Sequence, residues 1–147
     1  MSERQRPSEE RDPFLGDGSL RDIVVEDADL GSWRTALAYF ASHGTDPTFT
    51  VNEKSEPLPT DVGRLLRYWP DSSPLLYFRV ADIGLACHFF REDEIELDLV
   101  PNSVETDAQI AEVRAFLQGL ADALGREVLL TSENAHSEVY WRVAPSR

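Results

Sequence analysis

Between residues 75 and 100 three strand-patterned segments follow one another with no helix between them. Segments 75–81 and 85–90 flank Asp82-Ile83-Gly84, which reads as a hairpin turn, and 91–93 turns into Glu94-Ile95-Glu96-Leu97-Asp98-Leu99-Val100. In that last segment Ile95, Leu97 and Leu99 point to one side and Glu94, Glu96 and Asp98 to the other. Consecutive strands exclude a doubly wound parallel sheet, in which strands alternate with helices. They call for an antiparallel sheet with one apolar face that something else must cover.

The cover is legible on either side. Residues 107–124 form the strongest helical pattern, with Thr106 and Gln109 as a capping-box pair and Gly125 as the stop. Ile110, Val113, Phe116, Leu117, Leu120 and Leu124 make one apolar stripe, and burying six such side chains contributes about 10–15 kcal/mol before chain entropy is subtracted. A second helix begins at a cap on Asp29 or Ser32, carries Leu30, Trp33, Leu37 and Phe40 on one face, and ends at His43-Gly44. Before it, 20–25 reads as a short β-branched strand, and after it 48–51 alternates as another. Residues 52–60 hold Pro57 and Pro59 and read as a loop, from which Thr60 caps a short helix carrying Val62, Leu65, Leu66 and Trp69 and stopped by Pro70. Two strands, 127–131 and 138–143, close the chain around Glu133-Asn134-Ala135.

The expected fold is therefore α+β: a mostly antiparallel sheet of five to seven strands with two main helices packed on one face. Residues 1–19 read as a flexible acidic tail with only Phe14 and Leu15 to anchor it, and 20–147 as a single domain. No repeat of solenoid period is present.

Charge narrows the partners. The 147 residues carry 27 acids against 14 bases, a net charge of -13. That field repels nucleic-acid phosphates and anionic membranes, and it draws in basic proteins. It also serves solubility alone. No apolar run reaches the length of a membrane span, and the polar start lacks the apolar stretch of a secretory signal, so a cytoplasmic location is expected. The single cysteine, Cys87, leaves no internal disulfide.

Cys87-His88 holds a thiol and an imidazole side by side, but neighbours on a strand face opposite ways and cannot form a nucleophile–base pair with each other. Glu94, Glu96 and Asp98 are spaced about 6.5–7 Å apart along their strand, close enough to hold a hard cation or to share acid–base work. They are equally the solvated face of an amphipathic strand that guards a sheet edge. No basic residue follows at the spacing a metal-dependent nuclease needs. From Glu92 to Asp107 there are seven acids and no base, with Asp107 in the first helical turn, where the helix dipole favours an anion. Glu133-Asn134-Ala135-His136 reads as a polar hairpin loop, with no His-Glu-x-x-His or paired cysteine motif to build a metal site. Phosphate-binding glycine loops and the Gly-x-Ser-x-Gly elbow are absent from the sequence. No metal and no cofactor is expected.

Residues 87–98, the long helix after them and Leu130-Thr131-Ser132-Glu133-Asn134 resemble small bacterial α+β proteins and, in layout over 20–143, acidic immunity proteins that neutralise secreted bacterial toxins. The resemblance implies binding without chemistry. The expected function is an acidic, non-enzymatic protein-binding module that meets a basic partner through Glu94, Glu96, Asp98 and Asp107. The alternatives are a small enzyme that joins His88 or His136 to Glu96 or Asp98, and a structural homodimer formed through an edge strand.

Overall fold

A computed structural model describes residues 12–68 and 71–146. Eight strands form one antiparallel sheet: β1 Arg21–Glu26, β2 Thr45–Val51, β3 Lys54–Ser55, β4 Pro74–Val80, β5 Ile83–Arg91, β6 Glu94–Leu99, β7 Val128–Ser132 and β8 Ala135–Val143. The helices are α1 Leu30–His43, α2 Val62–Leu66 and α3 Asp107–Leu124. The fold is α+β with a wholly antiparallel sheet, and it has one strand more than the five to seven expected. The extra strand is β3, two residues inside the proline-containing loop that pair with Thr50 and Val51 of β2.

The spatial order is β3-β2-β4-β5-β6-β1-β7-β8. β4, β5 and β6 form the meander that the consecutive strand patterns require. The first strand in the chain is inserted between β6 and β7, so both of its edges are paired. Its Ile23-Val24-Val25 run suits that place, since all three side chains are fully buried and the strand is covered on both faces. β3 and β8 are the two edges, and a dimer formed through an edge strand would use one of them.

Both long helices pack on one face. α1 opens on a capping box in which the Asp29 side chain accepts from the Ser32 backbone N–H at 2.8 Å, and it buries Trp33, Ala36, Tyr39 and Phe40. Leu30 and Leu37, expected on that face, are only partly buried. α3 runs over the residues its pattern marks, from the Thr106–Gln109 box to Gly125 in the left-handed region at φ 65°. Phe40 of α1, Phe116 of α3 and Phe78 of β4 lie 5.0 to 6.1 Å apart by ring centroid, tying both helices to the sheet. Beneath them lie the alternate strand residues Leu85, Cys87, Phe89, Ile95, Leu97 and Leu99. The short α2 is capped by Asp61, one residue later than expected, and Trp69 and Pro70 lie outside the described residues.

Of the expected tail, residues 1–11 also lie outside the described residues. Residues 13–19 lie against the domain. Phe14 is buried edge-on to Trp141 at 5.4 Å, and the buried Arg21 donates through Nε to the Pro13 carbonyl at 2.6 Å and through an Nη to the Leu15 carbonyl at 3.2 Å.

Two turns sit differently from their expected places. Ala81 and Asp82 alone make the β4–β5 turn, both with positive φ, which suits a tight two-residue hairpin and leaves Ile83 in the core. The last hairpin turns at Glu133-Asn134, so β8 begins at Ala135, three residues before the expected start, and takes His136 into the strand.

Candidate functional site

The helices leave the other side of the sheet to polar side chains. β1 and β6 pair Asp22 with Asp98, Val24 with Glu96 and Glu26 with Glu94, while β5 sets His88 opposite Glu96. Residues paired across strands share a face. The strand alternation that sends Ile95, Leu97 and Leu99 into the core therefore gathers Asp22, His88, Glu94, Glu96 and Asp98 on the reverse side. Val24 and Leu129 are buried there without belonging to the main core, and they make an apolar floor.

Two histidines engage these acids. His88 donates through Nε2 to Asp98 Oδ2 at 2.7 Å, and its ring stacks on Phe90 at 4.9 Å. His136 reaches in from β8, with Nε2 3.0 Å from Asp22 Oδ2 and Nδ1 3.8 Å from Glu94 Oε2. The backbone N–H of Asn134 also donates to Asp22 Oδ2 at 3.0 Å, and the Leu20 N–H donates to Glu133 Oε1 at 2.9 Å, so the β7–β8 turn is stitched to β1. Asp22 is only 2% exposed. Asp22, Glu96 and His136 bring one ligating atom each within 4.8 Å of one another.

Burial and crowding act on this cluster. Burial, the charge on Asp22 and then that on Glu94 push the Glu96 carboxyl above its usual range, against the pull of His136 and His88. For His88, burial works against the charged ring, but the hydrogen bond to Asp98 and the charges of Asp98, Glu96 and Asp22 outweigh it and raise its pKa. Cys87 is on the other face, fully buried, and burial followed by the charges on Asp98 and Glu96 pushes its thiol well up. A thiol held protonated this way is no nucleophile.

The seven-acid block is thus divided. Asp93 is paired with Arg91 in the β5–β6 turn at 2.9 Å, and Glu94, Glu96 and Asp98 lie on the reverse face. Asp107 starts α3 on the helix side of the sheet, beside a groove shared with Ile110, Arg114 and Trp141, and does not join them. The strand acids are not a fully solvated face either, for Glu94 and Asp98 are 20% and 18% exposed. His88, His136, Glu96 and Asp98, which sequence placed in an alternative site, do converge. Asp22 was missed. Its signal is a carboxylate directly before the apolar run Ile23-Val24-Val25 in the same strand, a place where an unpaired charge is costly.

Compared with protein-family models, with curated proteins and with solved structures, the chain shows no significant match. Among the described residues no helix is long and apolar enough to cross a membrane.

Proposed function

We propose that this chain is a non-enzymatic protein-binding module that recognises a basic partner protein through the reverse face of its sheet, in the manner of an immunity protein. One observation carries the reading. The face that sets Asp22, Glu94, Glu96 and Asp98 together also exposes Tyr77 and Phe90, at 38% and 39%, beside them. Carboxylates next to exposed rings suit arginine and lysine side chains, which take an ion pair and a cation–π contact together. The net charge of -13 adds long-range steering toward a cationic surface. Asp107, on the helix side, is left out of the contact.

The test is capture from the source lysate followed by titration of the purified partner, with wild type beside Glu94→Gln/Glu96→Gln/Asp98→Asn. The triple variant is expected to bind a basic partner at least about tenfold more weakly, with affinity falling as salt rises. Equal affinity for both forms sinks the reading.

The 2.7 Å His88–Asp98 pair favours a second reading, a small enzyme with His88 as general base. His88 also lines a groove of about 550 Å³ with Thr50, Asn52, Ser73 and Phe90. Cys87, the thiol next to it in the chain, points away from that face and lends it no nucleophile.

A further inference from the structure

We infer that Asp22, Glu96 and His136 form a site for a single divalent transition-metal ion. Each donor comes from a different strand: Asp22 from β1, Glu96 from β6 and His136 from β8. β1 and β6 are hydrogen-bonded neighbours in the middle of the sheet, so two of the three donors stand on a rigid backbone. The third is delivered by the early start of β8 and held by the bond from Asn134 N–H to Asp22.

The spacing suits coordination. Two ligands at the bond lengths of a tetrahedral zinc ion lie roughly 3.3 Å apart, and His136 Nε2 lies 3.0 Å from Asp22 Oδ2. All three ligating atoms fall within 4.8 Å of one another. One imidazole nitrogen with two carboxylate oxygens matches the borderline first-row ions, Zn²⁺ and Mn²⁺ among them, better than Ca²⁺ or Mg²⁺, which prefer oxygen alone. Three protein ligands leave a position for water or for a group on a partner.

The surroundings point the same way. The other ring nitrogen of His136 lies 3.8 Å from Glu94 Oε2, longer than a hydrogen bond but on the side from which a carboxylate orients a ligating imidazole. Asp22 is almost wholly withdrawn from water, and Glu96 lies diagonally from it on the next strand, two residues along from its direct partner Asp98, so carboxylates converge where one histidine offsets them. On binding, the metal takes the proton's place on Nε2, and by way of solvent Nδ1 carries the ring's one proton, so the ligand is a neutral imidazole.

The inference does not depend on the basic-partner reading. The full chain, stripped with chelator, is titrated with ZnCl₂ by calorimetry, and with Co²⁺ while its visible absorption is recorded. One equivalent is expected to bind, with a Co²⁺ spectrum of low coordination number. His136→Gln and Glu96→Gln are each expected to weaken Zn²⁺ binding at least about tenfold, while His88→Gln and His43→Gln bind as wild type does. Both ligand variants replace partly exposed side chains, circular dichroism checks that they fold, and the buried Asp22 is left in place. The inference is overturned if wild type shows no saturable single-equivalent binding. It also falls if the two ligand variants bind unchanged, or if the loss follows His88. Partner affinity measured with chelator present separates the two ideas. Salt-sensitive partner binding with no zinc site removes only this inference, and a zinc site with no partner effect removes only the other.

Discussion

Arg21 shows how one side chain can decide the order of a whole segment. It begins the central strand, is 2% exposed, and spends its guanidinium on main-chain carbonyls of Pro13, Leu15 and Leu20 and on the Ser19 hydroxyl. These donors hold 13–19 against the domain, with Phe14 as the apolar anchor. Arg21→Met keeps the stem and removes the fork, leaving carbonyls to find water. The expected cost is about 2–3 kcal/mol, read by urea denaturation. Chymotrypsin is expected to cut within residues 13–20, after Phe14 or Leu15, faster than in wild type. Unchanged stability together with unchanged cleavage would show that the segment is held by Phe14 alone. Asp22, next in the chain, makes the opposite kind of contact. It accepts from Asn134 and His136 across the sheet, so neighbouring residues of one strand secure the N-terminal segment and the last hairpin.

At the scale of elements, the two long helices meet where α3 carries no side chain. Gly119 lies against the Tyr39 ring of α1, and a Cβ there would collide with the phenol. That phenol is not free to swing away. It donates to the Phe116 carbonyl at 2.8 Å, and its ring stacks on His43 at 4.1 Å. Gly119→Ala raises helix propensity but is expected to destabilise by about 1–3 kcal/mol, because overpacking outweighs the propensity gain. Thermal melts of Gly119→Ala, Tyr39→Phe and the double variant check this. Removing the hydroxyl is expected to recover part of the loss, a coupling between touching residues. Strict additivity would place the strain elsewhere. A glycine in an otherwise strong helical stripe was visible in the sequence, but the reason for it was not, since the partner ring lies on another helix.

For the whole molecule, charge sets the balance. A net charge of -13, with half-buried carboxylates crowded on one face, means that the folded state works against its own repulsion. Raising NaCl from about 0.02 M to about 0.5 M shortens the Debye length several-fold. It is expected to raise Tm by roughly 3–5 °C, measured by scanning calorimetry on metal-free protein. A Tm that falls with salt would mean that attractive pairs such as Arg91–Asp93 and Arg142–Glu127 outweigh the repulsion. The same screening weakens the proposed contact with a basic partner, so salt is expected to move stability and partner affinity in opposite directions.

Much of this fold is local physics written along the chain. The alternation of 94–99, the capping boxes at Asp29 and Thr106 and the left-handed stop at Gly125 depend on residues a few positions apart, and these elements lie where their patterns place them. The same alternation settles which face each of Cys87, His88, Glu94, Glu96 and Asp98 takes. What the chain does not spell out is adjacency between distant strands. β1 lies between β6 and β7 because its continuous apolar run is stable only with both edges paired and both faces covered, and that is a property of the finished sheet. This insertion brings Asp22 beside Glu96, and the curl of β8 brings His136 across 114 residues of chain to meet it. Period and capping determine the pieces, while the long-range pairing that buries the most apolar surface determines which charged residues become neighbours.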